Sequence, residues 1–170
     1  MSDQRDGKIA TGDGLAVLDG YTLPKGCALM LRVCGPGGAS RDGFVWPTTP
    51  GESATCPDWA PTAECGHGLH GWLWGEGDPS CASRVEADDC VWLAVEVVEA
   101  DAIALGGKIK VPSGRVVAVG RRREVATWLG ERAPGKRCNW ATLTGGDGAT
   151  LTGGYGATLT GGNRATLTGG

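Results

Sequence analysis

Residues 141–170 read ATLTGGDG, ATLTGGYG, ATLTGGNR, ATLTGG, and this octapeptide decides how the chain is read. Only the two positions after each Gly-Gly vary. Each octad has four residues of strand character followed by Gly-rich turn material. Successive side chains of a strand point to opposite faces, so Thr142 and Thr144 face one way while Ala141 and Leu143 face the other. Thr150/Thr152, Thr158/Thr160 and Thr166/Thr168 repeat the arrangement. Leu inside and Thr-x-Thr outside predicts a short β-solenoid with flat, hydroxyl-bearing faces. One octad is too short to close a coil around Leu and Ala, so two octads are taken as one sixteen-residue coil. That choice places Thr142/Thr144 beside Thr158/Thr160, and Thr150/Thr152 beside Thr166/Thr168. Threonines two apart on a strand lie roughly 6.7 Å apart, and neighbouring strands about 4.8 Å apart. The product is a grid of hydroxyls and methyls able to order surface water and, if extended, to template ice. A plainer reading is that Thr is simply a good strand residue that tolerates solvent.

Outward from the repeat, 170 residues hold one modest domain besides the tail. Composition is that of a globular protein, at 41% hydrophobic residues, with 31 glycines and seven tryptophans standing out. Charge is uneven. Residues 1–107 carry six Lys/Arg against sixteen Asp/Glu, whereas residues 108–137 carry nine against two. The basic stretch around Arg121, Arg122 and Arg123 could meet an anionic membrane surface or nucleic acid. The favoured reading is a solvated helix end or internal pairing with the acidic part, and no nucleic-acid partner is expected. The polar start, MSDQRDGK, has no apolar segment behind it and shows no signal peptide. Seven cysteines without a secretory signal are expected to be reduced.

Hydrophobic periodicity predicts an α+β domain over residues 28–133, after a polar segment 1–27. Candidate strands are Ala28–Cys34, Gly43–Trp46, Cys90–Val98, Lys108–Val111 and Arg115–Val119. Val91, Leu93, Val95 and Val97 alternate with Trp92, Ala94 and Glu96, which suggests one well-buried strand face. Residues 99–105 read as a helical turn, and Pro47–Pro61 as a loop. Val125, Trp128 and Leu129 fit an amphipathic helix from Arg121 to Arg132. Residues 134–138 form a short linker, and the repeat domain runs over 139–170.

The one dense cluster of soft ligands is Cys65, His67 and His70 in ECGHGLHGW. A zinc site needs four ligands, or three and a water, and no second CxxC or HxxxH completes it. The preferred reading is a turn leading into buried Trp72 and Trp74. The glycines at Gly75, Gly77 and Gly35–Gly38 do not match a phosphate-binding loop. The expectation is therefore no enzyme activity, no catalytic residue, no metal and no cofactor. The alternatives are a small ligand- or metal-binding, possibly enzymatic, domain carrying a repeat stalk, and a self-assembly module.

These residues resemble the bacterial ice nucleation proteins in two places. GYGATLT at 154–160 is close to that family's octapeptide Gly-Tyr-Gly-Ser-Thr-x-Thr, with Ala157 for Ser. The front domain is similar to the family's non-repetitive N-terminal domain through ALMLRVC (28–34), VWP (45–47), GLHGWLWGEG (68–77), VWLAVEVVEADAIAL (91–105) and VPSGRVVAVG (111–120). The resemblance implies a cell-surface protein of the bacterial outer membrane that orders water and starts freezing. It implies ice-contacting rows at Thr142, Thr144, Thr150, Thr152, Thr158, Thr160, Thr166 and Thr168. It further implies self-association through the repeats, and an N-terminal domain for membrane attachment or assembly. The family carries many tens of octads, against four here, and its recurring Tyr appears once, at Tyr155. The chain stops mid-pattern at Thr168-Gly169-Gly170, which reads as a fragment of a longer array.

Overall fold

The computed structural model describes residues 9–12 and 14–170. The rest of the polar start, and with it the MSDQRDGK reading, lies outside the described residues. The strands are β1 (Ile9–Gly12), β2 (Leu15–Leu18), β3 (Cys27–Cys34), β4 (Ser53–Thr55), β5 (Leu69–Leu73), β6 (Val91–Val98), β7 (Ile103–Ala104), β8 (Ile109–Val111) and β9 (Ser113–Gly120). One helix, α1 (Arg122–Glu131), follows, and then β10 (Thr142–Thr144), β11 (Thr150–Thr152), β12 (Thr158–Thr160) and β13 (Thr166–Thr168).

The first nine strands form one antiparallel sheet in the order β1-β2-β9-β6-β3-β5-β8-β7, with β4 also on β9. Its centre is the long pairing of β3 with β6, from Cys27↔Val98 to Cys34↔Val91. Both strands alternate with period two, and both of their faces are covered. Leu29, Leu31 and Val33 join Trp92 and Ala94 on the face that α1 packs against, through Val125, Ala126, Trp128 and Leu129. Ala28 and Met30 join Leu93, Val95 and Val97 on the other face, which Trp46, Ala54 and Cys56 cover. The expectation of one buried face on β6 is thus exceeded. Helix α1 falls where its spacing of apolar residues placed it, because Val125, Trp128 and Leu129 form one stripe.

Other elements differ from the expectation. Gly43–Trp46 is not a strand: Arg41–Gly43 is a tight turn, and only Val45 makes an isolated bridge, to Ala39. The loop 47–61 contains β4, and Leu15–Leu18 in the polar leader pairs with β9. GLHGWLW supplies β5 rather than only a turn. Gly71 permits this, since a Cβ there would meet Met30 Cγ at 2.5 Å and Leu31 O at 2.6 Å. The turn at 99–105 divides into a single tight turn, Glu99–Asp101, and the two-residue β7.

The expected β-solenoid of sixteen-residue coils is corrected. The tail makes two separate two-stranded parallel sheets, β10 with β12 and β11 with β13. Each strand is three residues long, and four strands allow only one pairing per sheet. Too little apolar surface is present to close a core of its own. Leu143 is buried to 8% exposure against α1, whereas Leu167 at the far end is 46% exposed. The α+β expectation is met in part: the molecule is mostly antiparallel sheet with one helix.

Candidate functional site

The octads place their threonines by a simple local rule. The second residue after each Gly-Gly takes a left-handed turn conformation: φ is +73° at Gly148, +64° at Gly156 and +59° at Arg164. Trp140, one octad earlier, adopts the same conformation at +59°, so the repeating turn begins at Asn139. The position before it holds in place the turn two octads later. Asn139 Oδ1 accepts from Tyr155 N at 2.9 Å, and Asp147 Oδ1 accepts from Asn163 N at 2.7 Å. These pairs are sixteen residues apart and fix the same offset as the strands. Gly162 leaves room for this close approach, since a Cβ there would collide with Asp147 Oδ1 and lie 2.7 Å from Asp147 N. At Asn139 and Asp147 the variable position of the octad is therefore structural, a signal present in the eight-residue spacing of these two side chains.

The sixteen-residue offset read from the repeat is the observed register. Thr142 faces Thr158 and Thr144 faces Thr160 in one sheet; Thr150 faces Thr166 and Thr152 faces Thr168 in the other. The eight threonines thus form two groups of four. The groups differ in surroundings. Arg123 on α1 donates from Nη1 to Thr142 Oγ1 at 2.9 Å and to Thr158 Oγ1 at 3.3 Å. Thr127 Oγ1 of the same helix accepts from Thr142 N at 2.8 Å. One Thr pair of the first sheet is therefore occupied by the helix. Thr150, Thr166 and Thr168 are exposed and Thr152 is half-buried. Among the described residues no side chain engages the hydroxyls of these four.

The tail is seated by aromatic packing. Trp140 is 4% exposed and meets Trp72 and Trp92 edge-on at 5.6 and 5.2 Å. Such pairs add about 0.5–1.5 kcal/mol beyond their buried area. Asn139, also buried, donates its backbone N–H to Gly75 O (3.0 Å) and its Nδ2 to Gly77 O (3.1 Å). Cys138 lies beneath, its thiol pushed up to about 12, first by burial and then by Glu76. Arg122 stacks over Trp140 at 5.5 Å and pairs with Glu86 at 2.7 Å, while Arg115 pairs with Glu96 at 3.0 Å. The basic stretch is in this way partly neutralised by the acidic front domain.

Cys65, His67 and His70 do not converge. His67 Nδ1 lies 2.7 Å from Asp58 Oδ2, Cys65 Sγ accepts from Lys108 at 3.3 Å, and His70 Nε2 accepts from Gly66 N at 3.3 Å. Among the described residues no group of three His, Cys, Asp or Glu side chains is placed to hold a metal ion, and the seven cysteines are free thiols. No helix among them is long and apolar enough to cross a membrane.

The chain is similar to an ice nucleation protein of Xanthomonas campestris pv. translucens, with 32% identity over 108 residues. That match covers 62% of this chain and 7% of the length of the curated relative. No protein-family model and no solved structure matches the chain.

Proposed function

We propose that this chain is an ice-nucleation-type protein whose Thr-x-Thr strands order water, with β11 and β13 as the principal water-facing surface. The observation that carries the reading is the register of Thr150 with Thr166 and of Thr152 with Thr168, on a sheet that α1 leaves uncovered. Similarity to a protein named for ice nucleation supports it. Strand geometry puts these hydroxyls roughly 6.7 Å apart along a strand and about 4.8 Å apart across the pair. A backbone fixed by turns and by the Asn139 and Asp147 side chains spends little further entropy when water settles on it. Hydroxyls fix first-layer waters and the flanking methyls limit competing orientations. The chemistry is templating, without turnover or cofactor. Two strands give a small patch, so nucleation belongs to longer arrays or to associated copies. Attachment at the outer membrane and self-association belong to the same proposal.

Partition of the full chain into a slowly growing ice crystal tests it. We expect enrichment in the ice, lost in Thr150→Lys and Thr166→Lys, with a smaller change in Thr158→Lys, whose hydroxyl Arg123 already engages. Equal partition of wild type and Thr150→Lys, with both folded, would remove the threonines from the mechanism.

A further inference from the structure

A cleft in the front domain, remote from the octads in sequence, carries chemistry that water ordering does not use. It is partly open, with a free volume of about 40 Å³, and is lined by Arg32, His70, Trp72, Cys81 and Lys108. Arg32 projects from β3, where its guanidinium is held by His70 O at 3.0 Å and Ser40 Oγ at 2.7 Å. Its Nε is buried and has no hydrogen-bond partner. Lys108 enters just before β8 and has only the Cys65 thiol, at 3.3 Å. Lys110 faces His70 in the β5–β8 register, fully buried, with Nζ on the carbonyls of Glu64 and Gly66.

Two cations, Arg32 and Lys108, thus line one small cleft, and a third, Lys110, is buried beside His70. Among the described residues none of them pairs with a carboxylate within 4.0 Å. Buried or half-buried charge of one sign is costly unless it is answered by opposite charge. Backbone carbonyls answer Lys110 and Nη1 of Arg32, but Lys108 and the buried Nε of Arg32 lack any such group. His70 reports the same field: burial first, then Lys108, Arg32 and Lys110, pushes its pKa down to about 4. The ring is therefore neutral at pH 7. Because its Nε2 accepts from Gly66 N, the tautomer assigned by that bond carries a hydrogen on Nδ1. The lining consequently offers positive charge and N–H donors.

We propose that this cleft binds a small oxyanion, a phosphate or carboxylate group, held by the Lys108 ammonium and the Arg32 guanidinium beside His70. Guanidinium and ammonium groups are suited to such oxygens, and charge-assisted hydrogen bonds of this kind are the stronger ones. A free volume of about 40 Å³ lies far below the roughly 300–1,000 Å³ of drug-sized pockets, and so favours a small ion or the anionic end of a small metabolite.

The test uses the full chain, titrated with sodium phosphate, with sodium acetate, and with sodium chloride at matched ionic strength. Imidazole NMR resonances are followed, and His67→Gln assigns the two histidines. We expect a saturable response at His70 with phosphate or acetate and none with chloride; whichever anion saturates identifies the oxyanion class. Bound anion should also raise the His70 titration midpoint by about one unit or more. Lys108→Ala should weaken binding at least tenfold, and Lys108→Gln serves as the second variant if the first loses its fold. Responses that are linear, identical in chloride, or unchanged in both folded Lys108 variants would overturn the site. None of these outcomes depends on ice partition, so this proposal and the water-ordering one fail separately.

Discussion

The nine-stranded sheet and the repeat tail are both made of strands, yet they are stabilised in different ways. In the front domain, β3 and β6 are eight residues long and pair over their full length. Each buries side chains on both faces, and of the two strands only Val98, at the end of β6, is exposed. In the tail, strands of three residues present the same Thr-Leu-Thr four times, and identical residues meet across each pair. Burial falls away along the octads: Leu143 is buried, Leu151 and Leu159 are half-buried, and Leu167 is exposed. The comparison teaches that a repeat fixes its own register cheaply but draws its stability from whatever covers its first strand. Here that cover is α1 and the Trp72–Trp92–Trp140 cluster.

The largest expected effect falls on the seam between the two regions. Trp140→Ala removes a buried aromatic from that cluster and should cost about 3–5 kcal/mol in denaturant unfolding. A loss under about 1 kcal/mol would mean that the tail is merely appended. A second comparison lies within the tail. Leu143→Ala should cost about 2–5 kcal/mol, whereas Leu167→Ala, at an exposed position, should stay within about 0.5 kcal/mol. Equal effects in the two variants would show that the tail buries a core of its own.

The third prediction belongs to the front domain alone. His70 has its folded pKa depressed to about 4, below the ordinary value of 6.5. The unfolded chain therefore binds the proton more readily, and stability is fully present above about pH 6.5. It declines as pH falls from there toward 4. The group is about half exposed, so the full shift is discounted for screening, leaving on the order of 1–2 kcal/mol. Unfolding of wild type and His70→Gln at pH 7 and pH 4.5 measures this: the wild type should lose more stability between them. Parallel losses would show that His70 does not carry the effect. The smallest expected change is Arg164→Gly. It relieves a left-handed residue where two earlier octads already have glycine, and should stabilise the last turn by up to about 1 kcal/mol. Slower amide exchange near Asn163 would register it, and faster exchange would contradict it.

Much of this was legible in the residues. The apolar runs 28–34 and 90–98 mark the two central strands because a short run of Val, Leu and Trp needs no partner to be recognised. The stripe Val125, Trp128, Leu129 marks α1 for the same local reason. The octad spacing carries the Thr142↔Thr158 and Thr150↔Thr166 pairing. What escaped reading depends on distant neighbours. Strand β5 contains Gly71 and His70, poor strand signals, and exists because β3 and β8 lie on either side of it. Leu15–Leu18 is short and follows a polar start, but the edge of β9 pairs it into the sheet. The solenoid expectation assumed that Leu and Ala would form a core inside the tail, whereas its apolar support comes from the front domain.

The candidate site divides the same way. Sequence alone determined which threonines alternate outward and which meet sixteen residues later, because both follow from strand period and repeat length. It also determined that short strands between Gly-rich turns would recur, read as four residues and observed as three. Only the tertiary structure decided that Arg123 occupies Thr142 and Thr158 while the second sheet is left open. It alone brought Arg32, His70 and Lys108, distant along the chain, around one cleft. Periodicity is a property of the local backbone, whereas which face is covered and which charges meet depends on strand pairings that no short window contains.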